Sequence, residues 1–137
     1  MRLTVLGALA LVLAVSGCGK DNPTAPSANV PFSTVDVRVG TGAEATTGRV
    51  VQVNYSGYLY SATAAENKGT PFDAGSFPFT VGTGVIPGFS QGVVGMRVGG
   101  IRRVIIPPNL GYGAQGSPPR IPGNATLVFE IELVAMQ

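Results

Sequence analysis

"FTVGTGVIPGFSQGVVGM", Phe79 to Met96, supports two incompatible readings. An aromatic and β-branched run enters Gly82, Gly84 and Gly88, and a short helical pattern follows, which is the outline of a dinucleotide-binding turn. The details argue against it. A nucleotide-binding unit needs a parallel βαβ crossover with a full helix after its glycines. Here the spacing is G-x-G-x-x-x-G, one residue too long, and Pro87 intrudes. About twenty residues further on stand Arg102 and Arg103 instead of an acidic partner for a ribose.

The same stretch reads well as a turn leading into a very short helix. Pro87 suits a first helical position, Phe89 and Val93 fall four apart, and Gly95 is a stop. Two turns at most fit. Glycine inside a helix costs about 1 kcal/mol relative to alanine, so Gly88 and Gly92 predict close backbone packing.

Around this helix the sequence is strand-forming. "VDVRV" (35–39) alternates as a half-buried strand should, and "RVVQVNYSGYLY" (49–60) puts Val51, Val53 and Tyr55 on one face. "SFPFTV" is a shorter strand whose Pro78 favours an edge. "IRRVIIP" (101–107) and "ATLVFEIELV" (125–134) complete the set. In the last, Leu127, Phe129, Ile131 and Leu133 face inward, and Glu130 and Glu132 face water. Arg102 and Arg103 read as a solvated pair at the sheet surface. The expected fold is α+β, a curved antiparallel sheet of five or six strands wrapped around one short α-helix.

The N-terminus has a different character. "MRLTVLGALALVLAVSGC" carries Arg2, then an apolar run from Leu3 to Val15 of signal-peptide rather than membrane-spanning length. It ends in "VSGC", which resembles the lipobox of bacterial lipoproteins. Residues 1–17 are therefore expected to be a cleaved signal, with Cys18 lipidated; an ordinary secretory signal with an incidental cysteine is the alternative. Residues 18–31 add a Pro/Ser-rich tether too poor in large apolar side chains to offset its ordering entropy. Residues 32–137 form one small domain. The expected location is the bacterial cell envelope, on the periplasmic face, with outer-membrane anchoring compatible with Gly19 after the cysteine.

Composition excludes several chemistries. The chain has no histidine and a single cysteine, so Ser-His-Asp and Cys-His nucleophile systems and histidine metal sites are absent. Without Arg2, eight Lys and Arg stand against seven Asp and Glu. A net charge near +1 offers no footprint for nucleic acid.

Taken in order, "VNYSGYL", "PFD", "FPFTVG", "VIPGF", "QGVVGMRVGG", "LGYGAQG" and "IPGNATLVFEIEL" resemble the FK506-binding protein (FKBP) family of peptidyl-prolyl isomerases, from about Val50 to Leu133. The resemblance implies an FKBP-like sheet and helix enclosing an aromatic pocket for a proline ring. By motif, that pocket takes Tyr55, Phe72, Phe77, Val85, Ile121 and Phe129, with Phe89 as its floor where tryptophan is usual. It implies that the Ile86 backbone N–H and the Tyr112 hydroxyl fix the flanking carbonyls, and that Asp73 sets a carboxylate near the twisting carbonyl carbon. The implied partners are proline-containing polypeptides and FK506- or rapamycin-type macrolides, besides the membrane through the lipid anchor; no cofactor or metal is implied, and a monomer is expected. The competing reading is a prolyl-peptide-binding chaperone or adaptor with little catalysis.

Three departures stand out. Only "AGS" separates Asp73 from Phe77, leaving no counterpart for the arginine that often pairs with that aspartate. "SATAAENKGT" (61–70) is an insertion in which Glu66 and Lys68 read as solvated. Ser117 stands where some relatives carry histidine.

Overall fold

The computed structural model describes residues 30–137. The signal peptide, Cys18 and residues 18–29 of the expected tether lie outside that range. Five strands, β1 (Ser33–Arg38), β2 (Val50–Tyr60), β3 (Lys68–Thr80), β4 (Ile101–Ile106) and β5 (Leu127–Met136), accompany one helix, α1 (Pro87–Val93). They form a single curved antiparallel sheet in the order β1-β4-β5-β2-β3.

That order explains why the helix lies where it does. β3 ends at one edge of the sheet, and β4 lies beyond β2 and β5. The connecting chain must therefore cross the sheet's face, and α1 packs on β4 and β5 on the way. Its two internal glycines permit the approach. A Cβ on Gly88 would lie 2.5 Å from Ile106 Cγ2, and one on Gly92 would lie 2.7 Å from Val104 Cγ2. Both prospective contacts are far closer than packed side chains tolerate. Pro87 opens the helix as expected, and Gly95, at φ 89°, ends it in a conformation that favours glycine.

Beneath the helix lies one apolar core. Val51, Val53, Val93, Val104, Ile106, Leu127, Ile131 and Leu133 are buried there, joined by Phe89 and Phe129. The inward set expected on β5 is found as read.

Four expectations need correction. β1 is not half-buried: all six residues are exposed, with Val35 at 52% and Val37 at 48%, because α1 covers β4 and β5 and no second layer of the described residues reaches this edge. β3 is an edge strand, as Pro78 suggests, but it starts at Lys68 rather than Ser76 and takes up the end of the insertion.

Arg102 is no solvated surface residue. Its Nε donates to Asp36 Oδ1 at 2.7 Å, and its Nη1 donates to the carbonyls of Gly92 and Val94 at 3.0 and 2.9 Å. A cation thus meets the unsatisfied carbonyls at the helix C-terminus, where it is electrostatically favoured.

Glu66, Lys68 and Arg103 are likewise paired rather than free. Lys68 Nζ lies 2.8 Å from Glu66 and 2.7 Å from Glu130, and Arg103 lies 3.4 Å from Glu66. The insertion is latched to the sheet face opposite the helix. Burial alone would lower the Lys68 ammonium pKa, but its bonds to Glu130 and Glu66 and their charges together raise it. The hydrogen bond from Lys68, then the Lys68 and Arg103 charges, hold Glu66 below the usual carboxylate range.

Candidate active site

Between β2, β3, the 84–86 turn, α1 and the tip of the loop before β5 lies a cavity of about 280 Å³. Its base is a cluster of rings. Phe89, 3% exposed, stands edge-on to Phe129 (centroids 5.2 Å apart, 86°) and to Tyr55 (5.9 Å, 89°). Phe77 closes one side, 5.4 Å from Tyr55 and 5.9 Å from Phe89, and Phe72 closes the other, edge-on to Phe129 at 5.5 Å. Such edge-to-face pairs contribute about 0.5–1.5 kcal/mol each beyond their burial. They hold a preformed aromatic wall, which is usual for small-molecule sites.

Local backbone devices place these side chains. In the β2–β3 pairing Gly57 opposes Asp73, but the next pair is Tyr58 with Pro71, so Phe72 is the extra residue of a bulge. Successive residues of a regular strand face opposite ways; the bulge lets Phe72 and Asp73 line the same cavity. Gly57 makes room for the rings. A Cβ there would lie 2.7 Å from Phe72 Cζ and 2.9 Å from Phe129 Cε1.

The turn of the opening motif is tied to the helix. The Gly82 N–H donates to the buried Ser90 hydroxyl at 3.1 Å, and Gly82 and Gly84 have φ of 105° and 79°. This sets Gly84, Val85 and Ile86 on the cavity rim. Ile86 is the N-cap residue of α1, and its carbonyl accepts from the Phe89 N–H at 3.0 Å. Among the described residues its own N–H donates to no protein acceptor, which leaves it available at the rim.

The polar groups converge at the mouth. Tyr55 Oη donates to Asp73 Oδ2 at 2.7 Å, and the Ala74 N–H donates to Asp73 Oδ1 at 2.9 Å. Both carboxylate oxygens are thereby oriented. Burial first, then the hydrogen bond to Asp73 and the charges of Asp73 and Tyr112, push the Tyr55 hydroxyl up to about 12. It stays a donor throughout the physiological range. The Tyr112 side chain, 39% exposed, borders the same space. Among the described residues no group of three or more metal-ligating side chains comes together.

Of the residues singled out in the sequence, Tyr55, Phe72, Asp73, Phe77, Val85, Ile86, Phe89, Tyr112 and Phe129 meet around this one cavity. Ile121 does not. It is buried at 4% and borders a second cavity of about 250 Å³, next to the first. Gly84, named in the sequence only as part of the turn, lies on the cavity wall, and Gly57 escaped the sequence reading. The signal for Gly57 is a glycine in mid-strand, which marks a close approach.

The family model described as FKBP-type peptidyl-prolyl cis-trans isomerase matches residues 42–134. The chain is 47% identical over 106 residues to the 39 kDa FK506-binding nuclear protein of Drosophila melanogaster, an alignment covering 74% of the chain and 28% of that protein. It is 45% identical over 96 residues to the human peptidyl-prolyl cis-trans isomerase FKBP2, covering 66% of the chain and 64% of the relative. The chain thus spans just over a quarter of the first relative's length and under two thirds of the second's. A crystal structure of a peptidyl-prolyl cis-trans isomerase from Pseudomonas syringae pv. tomato superimposes with a TM-score of 0.66 at 30% identity, covering 77% of this chain and 75% of that one.

Proposed function

The chain belongs to the FKBP-type peptidyl-prolyl cis-trans isomerase family, and from that premise we propose that it accelerates rotation about X–Pro bonds by non-covalent binding in the aromatic cavity. The observation that carries this reading is the convergence of an apolar ring cluster with oriented hydrogen-bonding groups at one mouth.

The chemistry asks for no nucleophile. Amide resonance opposes rotation with a barrier of about 18–20 kcal/mol, while the two X–Pro isomers differ by only about 0.5–1 kcal/mol. Uncatalysed exchange therefore takes on the order of tens of seconds. The planar amide is the more polar state, because resonance separates charge between nitrogen and oxygen. Twisting removes that separation. An apolar cavity that strips water from the bond disfavours the planar state relative to the twisted one. In this reading the rings of Phe77, Phe89 and Phe129 hold the pyrrolidine. The Ile86 N–H and the Tyr112 hydroxyl take the flanking carbonyls, and Asp73, oriented by Tyr55 and the Ala74 N–H, presents its carboxylate to the twisting carbonyl carbon.

The test is isomerisation of an X–Pro peptide followed in real time. A rate above the solvent rate that saturates with peptide supports the proposal, and turnover no faster than solvent removes it. Tight prolyl-peptide binding with no rate gain would instead identify the adaptor of the competing reading.

We further propose that the domain is exported and held to a bacterial envelope membrane by acylation of Cys18, with residues 18–31 as the tether. The "VSGC" motif after an apolar run of signal length supports this. Macrolides of the FK506 type are proposed ligands of the same cavity, and the domain is proposed to act as a monomer. If the anchor exists, Cys18→Ala moves the protein from the membrane fraction to the soluble one; an unchanged distribution refutes it.

A further inference from the structure

The second cavity adjoins the first. It shares Phe72, Asp73 and Tyr112 with the prolyl cavity, and its outer wall is the loop from Ser117 to Ile121. The shared residues put the second space within reach of a side chain next to a proline held in the first.

This wall is built rather than loose. The Ser117 N–H donates to the Ile121 carbonyl at 2.8 Å, and the Ile121 N–H returns a bond at 3.0 Å. Gly116, at φ 66°, passes so close to the Ile121 and Pro122 carbonyls that a Cβ would lie 2.5 Å from the Ile121 oxygen. Arg120 is held across the cavity, its Nη1 donating to the Phe72 carbonyl at 3.2 Å.

The charges around the two spaces are few. Among the described residues, only Asp73 and Arg120 border them as formally charged side chains. Asp73 has both oxygens engaged, by Tyr55 and by the Ala74 N–H. Arg120 has spent one of its five N–H donors on a neutral carbonyl, and no carboxylate among the described residues lies within ion-pair distance of it. An exposed arginine usually serves only as a solvated charge. This one is anchored on the wall of a groove continuous with the substrate space, with a planar fork suited to a carboxylate.

We propose that Arg120 makes this groove selective for a substrate carboxylate, so that prolines flanked by Asp or Glu are turned over in preference to those flanked by Lys. The inference rests on the isomerase reading and names the substrate class of that same site. The Asp73 charge opposes it, so the preference is modest: an exposed charge pair implies about a 1.5- to fivefold ratio in kcat/KM between Glu and Lys peptides.

The experiment uses the full chain and peptides that differ only beside proline, with Glu, Leu or Lys placed first before it and then after it. The expected result is Glu above Lys in at least one series at low ionic strength, converging towards equality in about 1 M salt as screening shortens the reach of the charge. Arg120→Lys retains the order and Arg120→Glu reverses it, which loss of a purely structural contact would not do. A Glu-to-Lys ratio of one or below in both series of the unmodified protein overturns the proposal, as does a ratio that survives Arg120→Glu. Failure to accelerate even the Leu–Pro peptide refutes the isomerase reading itself, so the two failures are distinct.

Discussion

The two faces of the sheet are written by the same strands and do opposite things. On β5, Leu127, Phe129, Ile131 and Leu133 face α1 and are buried, while Glu130 and Glu132, on the alternate positions, bind Lys68 and Arg38 on the other face. The helix-side face is a continuous apolar body that ends in a preformed cavity. The outer face is a set of ion pairs around Val128, which is buried in register with Ile105 and Tyr58. Apolar packing carries the fold and the site; charge pairing fixes where an insertion and an edge strand lie. Changes on the first face should therefore cost far more than changes on the second.

The largest effect is expected from Phe89→Ala. Its ring meets Tyr55, Phe77, Phe79 and Phe129 at centroid distances of 5.9, 5.9, 5.5 and 5.2 Å. Removing it should cost about 3–5 kcal/mol of stability, read as a lower denaturation midpoint, and abolish the proposed X–Pro turnover. A loss below about 1 kcal/mol would mean that the ring cluster is not part of the core.

Next comes Gly92→Ala. The added Cβ would lie 2.7 Å from Val104 Cγ2, with β4 behind it. Overpacking of this kind costs about 1–3 kcal/mol. The expected signature is thermal destabilisation with the mouth residues intact, so kcat/KM measured well below the melting temperature should fall less than in Phe89→Ala. An unaffected melting temperature would show that α1 can shift away from β4.

These two positions also show what was legible in advance. Pro87, Phe89, Val93 and Gly95 announce a short helix, and the two internal glycines announce its close packing, because both signals are local. The motif series brought together the cavity's residues for a similar reason, since each motif spans its own turn or strand. What was hidden depends on partners distant in sequence. Alternation in "VDVRV" cannot say whether a second layer covers it, and none of the described residues does. "RR" at 102–103 looks solvated until the helix end brings the Gly92 and Val94 carbonyls to Arg102. The bulge at Phe72 arises from the pairing of β2 with β3, so neighbouring residues could share the cavity without any signal in "PFD".

Tyr55→Phe sits between the two faces in size. It removes the hydroxyl that holds Asp73 Oδ2 but leaves the ring packing. The bond lies at the open mouth although the ring is half-buried, so the stability loss should be about 0.5 kcal/mol, the low end for a hydrogen bond. The larger change should appear in kcat, because the carboxylate is then oriented by the Ala74 N–H alone. The pH dependence has a definite sign. Below the ordinary value of 10.0 the hydroxyl is protonated in folded and unfolded chains, and its contribution is whole. As pH rises from there towards about 12 the unfolded chain ionises first, so the folded state loses stability. Tyr55→Phe should flatten that alkaline decline; an identical decline in the variant would assign it elsewhere.

The smallest effect belongs to the outer face. Glu66→Gln removes one of the two carboxylates that hold Lys68 and the partner of Arg103, while Glu130 remains. Exposed pairs contribute little and are screened by salt, so the variant should differ least from the parent and not at all at high salt. The pH window follows from the two shifts. Glu66 is lowered from 4.5, so its contribution is present above that value and lost as pH falls through its folded-state value. Lys68 is raised from 10.5, so its contribution is present below that value and lost as pH rises through its folded-state value. Between those limits Glu66→Gln should lower stability by a constant increment that vanishes in acid, with the proposed X–Pro turnover unaltered because, among the described residues, no cavity side chain pairs with the network. A stability loss rivalling that of Gly92→Ala, or any fall in kcat/KM, would show that the latch supports the bulge at Phe72 and that the two faces are coupled through β3.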